Sequence, residues 1–448
     1  MIIHGIADGC VLQRGADGSD VIFRADGEIN EISYSGASRG NAGIEKISDG
    51  VFRITGIPAG GPYEVTAGGE TYRDVYVGDL WMLAGQSNMQ GVGWYSREDL
   101  AFRGEDDVRA LYMENEWRTA RHPLHREFMA YDKVHTEVLH ALPPSTDFNG
   151  VGPGLSFAQR MKSVTGVPQG LICSAHGGTS LENWNPAGKK DGPGKSLYAA
   201  MLRRFYDTGS HIKGILWFQG CADAFEDGGR DFGERTEKFI RSCRDDMNYR
   251  SEKLPFVQFQ LGRVVHEKLP GLEENWTLIR EAQRLIPYET EDTVTLGTIT
   301  CELDDLIHIS GKSHVRLGRY AADVMASMCG YRPSAMPPVL KKCVMFRHPV
   351  SGWATVDVTF DNVIGGLASE GRASGFSLAE PGRPPAADYV YDVSLDGDTA
   401  RLRIHREIGD VKGLLLYYGY GLNPYANVTD AAGRAMPCFG PVGFEIRE

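Results

Sequence analysis

Between Val75 and about Gly330 the sequence alternates short apolar runs with amphipathic stretches, and this alternation constrains the fold more than any other feature. Apolar runs of strand length predict β-strands at 75–84, 170–175, 213–218, 255–261 and 294–300. Apolar residues at helical spacing predict helices at 154–164, 196–207, 232–248, 274–285 and 311–328. Strands that alternate with helices predict an α/β fold, in which helices flank a parallel sheet on both faces.

The segments on either side of this α/β region read as β structure. Residues 1–75 carry short alternating runs separated by glycine-rich turns, which predicts a small antiparallel β domain. A proline-rich linker follows Gly330, and beyond it period-two alternation predicts a C-terminal β sandwich. A chain of 448 residues is too long for one ordinary domain. We therefore predict three domains, at 1–75, 76–332 and 333–448.

Composition limits the partners and the compartment. The formal net charge of −12 argues against a nucleic-acid partner or an anionic membrane surface. No apolar run approaches the roughly 20 residues needed to span a bilayer, and the first eight residues lack the features of a signal peptide. The eight cysteines are scattered without a CxxC pair or a disulfide-framework spacing. These features predict a cytoplasmic protein with reduced thiols.

The apolar run 75–84 stops at Gly85, and polar Gln86, Ser87 and Asn88 follow at once. Ser87 is therefore expected at the carboxyl end of a buried strand, where open α/β sheets place their ligands. A tight turn there presents a serine hydroxyl outward, as a nucleophile requires. On this stretch alone, a turn serine that hydrogen-bonds nearby backbone groups is the simpler interpretation.

Partners for such a serine follow other predicted strands. Asp305 and His308 follow the strand at 294–300, and their DxxH spacing lets one loop hold both an imidazole and its carboxylate partner. An exposed loop histidine beside a helix-capping aspartate is the alternative. Gly177 and Gly178 follow the strand at 170–175, and Gln219 follows the strand at 213–218. A glycine N–H can approach an oxyanion closely because glycine has no side chain. A plain turn without a catalytic role is the alternative interpretation of Gly177 and Gly178.

Gly85-Gln86-Ser87-Asn88-Met89 resembles the nucleophile block of the sialate O-acetylesterase family, within the SGNH/GDSL hydrolase superfamily. The segments 74–81 and 305–312 look like that family's lead-in to the serine and its Asp-x-x-His block. The resemblance implies an SGNH-hydrolase-like parallel sheet, with Ser87 as the nucleophile, His308 as the base and Asp305 as its acid partner. It also implies an oxyanion hole formed by the Ser87 N–H, the Gly178 N–H and the Gln219 amide, with Gly177 as the near alternative to Gly178.

Three further features bear on the predicted site. Cys221 stands where the family usually has glutamate after its Trp-x-Gln-Gly motif, and the loss of a supporting carboxylate would alter substrate choice or lower activity. Trp184 is predicted to stack on a sugar ring, with core packing as the equal alternative. Residues 94–150 hold four histidines at spacings that match no zinc site, so solvated loops or a lid over the site are expected there.

The resemblance implies a carbohydrate O-acetylesterase that cleaves O-acetyl esters on a sugar, above all O-acetylated sialic acid. It implies no metal and no organic cofactor, and its partner is the acetylated saccharide rather than a nucleic acid or a membrane. An acetylxylan-type esterase is the alternative enzyme, and a non-catalytic carbohydrate-binding protein on the same fold is the alternative class. Relatives of this family are often secreted, so secretion after removal of a leader stays open beside the cytoplasmic expectation. The sugar, the ester position and the oligomeric state stay open.

Overall fold

The protein is described by a computed structural model. It describes residues 2–447 apart from 96–103, 144–148, 227, 248, 250–252, 268, 386 and 387. The chain forms two compact units. The first contains Met1–Gln219, Lys238–Val257 and Ser310–Pro333, and the second contains Gly220–Glu237, Gln258–Ile309 and Ser334–Glu448. The predicted division into three domains stays a prediction.

Residues 2–85 form β-strands, in line with the β structure predicted for residues 1–75: β1 (Ile2–His4), β2 (Val11–Gly15), β3 (Gly18–Ala25), β4 (Ile32–Gly36), β5 (Gly40–Asn41), β6 (Gly43–Ser48), β7 (Val51–Thr55), β8 (Gly60–Ala67) and β9 (Glu70–Gly85). Alternate side chains of β3 and β7 are buried, and Phe23 stacks on Phe52 with 5.3 Å between ring centroids. This period-two burial is the reason that alternating apolar residues form strands here.

β9 is the central strand of the first unit. Its first half pairs with β8 in antiparallel register, for example Val65 opposite Tyr72, and its second half joins a parallel sheet. Every residue from Val75 to Gly85 is buried, which explains the continuous apolar run, because a strand covered on both faces has no polar side. The predicted boundary at residue 75 thus falls inside one strand.

The parallel sheet of the first unit has the order β11-β14-β9-β15. The elements of this part of the chain are α1 (Ser87–Gln90), β10 (Gly93–Trp94), β11 (Val108–Leu111), β12 (Trp117–Thr119), β13 (Asn149–Val151), α2 (Gly154–Thr165), β14 (Gln169–Cys173), α3 (Leu197–Asp207) and β15 (Gly214–Phe218). Three short helical turns lie at Glu127–Met129, Val134–Val138 and Pro186–Asp191. Strand β11 was not predicted, so the expectation of solvated loops across 94–150 is wrong for this part.

The chain continues with α4 (Cys221–Phe225), α5 (Phe232–Asp246), β16 (Phe256–Phe259), α6 (Leu272–Glu289), β17 (Thr293–Leu296) and α7 (Gly311–Met328). The five predicted helices and five predicted strands of the α/β region are all present, with ends shifted by a few residues. In the first unit α7 packs closely on α2, since a Cβ added to Gly318 would lie 2.2 Å from the carbonyl oxygen of Pro153. Leu317, Ala321, Val324 and Met325, which recur at helical spacing in α7, are buried.

The C-terminal part of the second unit is β-rich, as predicted. Its elements are β18 (Val339–Arg347), β19 (Ala354–Asp361), β20 (Leu367–Ser369), β21 (Phe376–Ala379), β22 (Val390–Asp396), β23 (Thr399–Ile404), α8 (Ile408–Val411), β24 (Leu415–Tyr418), β25 (Val428–Asp430), β26 (Phe439–Val442) and β27 (Glu445–Arg447). A five-stranded sheet, β22-β23-β19-β18-β27, and a three-stranded sheet, β21-β24-β26, share one apolar core. Among the residues described, no helix combines the length and apolar character of a membrane span.

Candidate active site

Ser87 lies on a tight turn between a strand and a helix, as predicted. β9 ends at Gly85, whose φ of +128° is a conformation that side chains rarely allow, and a Cβ there would lie 2.3 Å from the carbonyl oxygen of Phe218. The Gln86 N–H donates to that same carbonyl over 2.8 Å, and Ser87 opens the short helix α1. Only 9% of Ser87 is exposed. The turn therefore holds the serine at the carboxyl end of the sheet with its backbone fixed on both sides.

The loop after β14 lies against this turn. The His176 N–H donates to the Gly85 carbonyl over 2.9 Å, and a Cβ on Gly177 would lie 3.7 Å from the Cβ of Ser87. The Gly177 N–H is already used, because it donates to Oε1 of Glu127 over 2.7 Å. Gly178 has a φ of +68°, and a Cβ added to it would have no atom within 4 Å. Its N–H donates to no other residue among those that the structure describes, which favours Gly178 over Gly177 as an oxyanion donor.

Gln219 follows β15 and is fully buried, and its Nε2 donates to the Thr179 carbonyl over 3.0 Å. This contact orients the side-chain amide, a group that carries two N–H bonds. β14 and β15 flank β9 in parallel register, with Cys173 opposite Leu83 and Phe218 opposite Gly85. Because parallel strands end at the same edge of a sheet, Ser87, Gly178 and Gln219 meet at one edge of the first unit.

Asp305 and His308 form a close pair in the second unit. Oδ2 of Asp305 lies 2.6 Å from Nδ1 of His308, and Oδ1 accepts the N–H groups of Ile307 and His308 over 2.8 and 2.7 Å. Partial burial acts to raise the pKa of Asp305, but these hydrogen bonds outweigh it and hold the pKa below its usual range. The carboxylate thus fixes the imidazole ring through Nδ1.

Trp184 does not present a face for a sugar, so the stacking predicted for it is wrong. The side chain is 0% exposed, and it packs edge-on against Trp217 with 5.2 Å between centroids. Its Nε1 donates to Oγ1 of Thr179 over 3.0 Å. Trp184 therefore stabilises the loop that carries Gly178 from within the core, and aromatic residue type alone could not separate this role from ligand stacking.

Cys221 begins α4 in the second unit and is 4% exposed. Burial raises the pKa of its thiol to about 12, so the thiol is protonated and a poor nucleophile at neutral pH. This supports serine rather than cysteine chemistry.

Three buried polar residues that the sequence patterns did not predict lie beside the Gly178 loop. Glu127, His135 and His176 are 8%, 1% and 4% exposed, respectively. Glu127 and His135 come from the segment expected to form solvated loops or a lid over the site. Their burial shows that solvated loops are wrong for both residues, and the lid stays a prediction. Glu127 contacts Gly177 across 50 positions of sequence, so no local pattern could have found it. In the part of the chain that the structure describes, no three His, Cys, Asp or Glu residues are grouped to hold a metal ion.

Comparison with known proteins places the chain among carbohydrate esterases. The family described as carbohydrate esterase, sialic acid-specific acetylesterase matches residues 77–327, which is more than half of the chain. The chain belongs to this family. The sialate O-acetylesterases of Homo sapiens and Pongo abelii are each 27% identical to it, and the match covers 36% of this chain and 36% of each relative. The chain thus matches only about a third of the length of these curated relatives.

A solved structure shares the fold. A carbohydrate acetylesterase from Xanthomonas citri superposes with a TM-score of 0.73 at 23% identity, over 98% of this chain and 99% of that chain. At this identity the likeness shows the fold alone, and it agrees with the predicted mixed α/β fold with β-rich parts.

Proposed function

We propose that this protein is a serine-dependent carbohydrate O-acetylesterase. The observation that carries the proposal is the edge of the first unit where Ser87 opens α1 beside the Gly178 N–H and the buried Gln219 amide. A hydroxyl on a tight turn, with two preorganised donors at the neighbouring strand ends, suits attack on an ester carbonyl. Membership of the family supports the acetyl group and the sugar.

The reaction would proceed in two halves. His308, oriented by Asp305, takes the Ser87 proton as Oγ bonds to the acetyl carbon, and the carbonyl oxygen becomes an oxyanion. The N–H groups of Ser87 and Gly178 and the Gln219 amide stabilise that charge. As the C–O bond to the sugar breaks, His308 returns the proton to the departing sugar oxygen. Water, deprotonated by His308, then attacks the acetyl-serine. As the bond between the acetyl carbon and Oγ breaks, His308 returns the proton to Oγ of Ser87 and acetate is released.

O-acetylated sialic acid is the substrate we propose. The family description and the names of the curated relatives support it. A panel of acetylated sialosides and acetylated xylo-oligosaccharides, with acetate release as the readout, tests this choice. Preference for the xylo-oligosaccharides would replace the sialate assignment with an acetylxylan-type activity.

A fluorophosphonate probe separates an esterase from a binding protein of the same fold, because only an activated serine reacts with it. We expect stoichiometric labelling of the wild-type protein at Ser87, identified by peptide mass spectrometry. Absence of labelling, together with retained binding of a saccharide, would show that the fold binds carbohydrate without turnover.

Gln219→Ala should lower kcat by about 10²-fold with little change in KM, the usual cost of one oxyanion donor. Steady-state kinetics on an acetyl ester measure both constants. Gln169→Ala is the matched control, because Gln169 is an equally buried glutamine at the start of β14, where its Oε1 accepts the Trp81 indole N–H over 2.7 Å. It should lower stability and spare kcat. A change confined to KM in Gln219→Ala would instead make Gln219 a substrate-binding residue.

A further inference from the structure

A buried polar cluster lies behind the Gly178 loop in the first unit. Glu127 sits on the helical turn Glu127–Met129, His135 on the turn Val134–Val138, and His176 directly before Gly177. Nδ1 of His135 lies 2.9 Å from Nδ1 of His176, and the ring centroids are 5.1 Å apart. Oε2 of Glu127 lies 3.8 Å from Nδ1 of His176. The mechanism above uses none of these groups.

The Gly177 N–H joins this cluster to the site. It donates to Oε1 of Glu127 over 2.7 Å, while the preceding N–H, of His176, donates to the Gly85 carbonyl. A Cβ on Gly177 would lie 2.7 Å from Oε1 of Gln90 in α1, so the loop backbone lies directly against the helix that Ser87 opens. Two successive N–H groups are therefore fixed, and the next one along the chain, that of Gly178, is the donor assigned to the oxyanion.

The surroundings of Glu127 favour the protonated, neutral form of its carboxyl group. Among the described residues, no lysine or arginine lies within ion-pair distance of its carboxyl group. Burial without a cation disfavours the carboxylate, and it raises the pKa of Glu127 to about 8 although the Gly177 hydrogen bond acts in the opposite direction.

The titratable groups that face Glu127 carry no compensating charge. Burial lowers the pKa of His176 to about 4 and that of His135 well below its ordinary value, so both imidazoles are neutral and one donates to the other. Arg204, whose charge acts on His135, donates to the carbonyls of Tyr112 and Met113 and lies 3.4 Å from a carboxylate oxygen of Asp132.

We propose that Glu127 is a positioning residue for ester cleavage: as a neutral carboxylic acid it holds the Gly177 N–H and so aims the Gly178 N–H at the oxyanion. The inference rests on the proposed function. Neutrality matters because the transition state builds negative charge on that oxyanion. An ionised Glu127, bound to the N–H directly before that of Gly178, would repel this charge through a buried region where electrostatic interactions are weakly screened. Ionisation of Glu127 at high pH should therefore slow the chemical step.

The test compares Glu127→Gln and Glu127→Met over about pH 6 to about pH 10. The glutamine keeps an oxygen to accept the Gly177 N–H and never ionises, so its kcat at neutral pH should stay within about twofold of wild type. Wild-type kcat should fall about tenfold above the pKa of Glu127, and this fall should be absent in Glu127→Gln. Glu127→Met removes the acceptor and should lower kcat about tenfold at every pH, with KM little changed.

Asp79→Asn is the matched control, because Asp79 is a fully buried carboxyl group in β9 that pairs with Arg14 over 2.9 Å. It should keep the wild-type pH profile. A fall at high pH that persists in Glu127→Gln, or equal kcat values at neutral pH for the Gln and Met variants, would overturn the proposal. If Glu127→Met does not fold, the pH profile of Glu127→Gln still decides. Absence of acetyl-ester cleavage by the wild type would instead refute the proposed function.

Discussion

Ser87→Ala should lower kcat for acetyl-ester cleavage by about 10⁴–10⁶-fold and leave the fold intact. The loss is this large because the proposed acetyl-enzyme forms on the Ser87 oxygen. The backbone N–H groups of residues 87 and 178 remain, so a small residual rate over water is expected. Acetate release measures the loss, and circular dichroism with thermal unfolding checks the fold.

Ser156→Ala is the matched control for this experiment. Ser156 is a buried serine of α2 whose hydroxyl donates to the Pro153 carbonyl over 3.1 Å, and its loss should leave kcat unchanged. Ser87→Ala should also abolish labelling by the fluorophosphonate probe. If Ser87→Ala kept more than about a tenth of wild-type activity, this residual activity would be far above expectation and would exclude Ser87 as the nucleophile.

The sequence predicted what local patterns encode. The apolar run 75–84 that stops at Gly85 predicted a buried strand and a turn, and the structure shows both, with Gly85 at a φ that disfavours other residues. The DxxH spacing predicted a short loop with carboxylate and imidazole in contact, and Oδ2 of Asp305 lies 2.6 Å from Nδ1 of His308. Each of these features is decided by residues a few positions apart, so periodicity and spacing were sufficient.

What the sequence could not predict depends on distant packing. Trp184 follows the Gly178 loop by a few residues, yet Trp217 and Phe239 enclose its ring from other elements. Strand β11 has only four residues, and its pairing with β14 creates it. A polar, histidine-containing segment such as 94–150 reads as solvated until the sheet that buries it is known.

His308→Ala should be nearly as damaging as Ser87→Ala, with a loss in kcat on the order of 10⁴–10⁶. Asp305→Asn should cost less, about 10²–10⁴, because orienting a base matters less than having one. An asparagine at 305 can still accept the N–H groups of Ile307 and His308 through its carbonyl oxygen. It lacks the negative charge of the carboxylate, whose Oδ2 lies 2.6 Å from Nδ1 of His308 in the wild type.

The pH dependence follows from the direction of the Asp305 shift. Its folded pKa lies below the ordinary value, so its ionised form stabilises the fold above the unfolded pKa, and this contribution is lost as pH falls through the folded pKa. In thermal unfolding across the acidic range, wild type should therefore lose stability more steeply than Asp305→Asn.

Asp304→Asn is the matched control, since Asp304 is the neighbouring carboxylate and its backbone N–H donates to the His308 carbonyl over 3.0 Å. It should cost little activity. A larger loss in Asp304→Asn than in Asp305→Asn would shift the acid partner by one residue. Equal and small losses in both would mean that the backbone hydrogen bonds of the 305–308 loop suffice to orient His308.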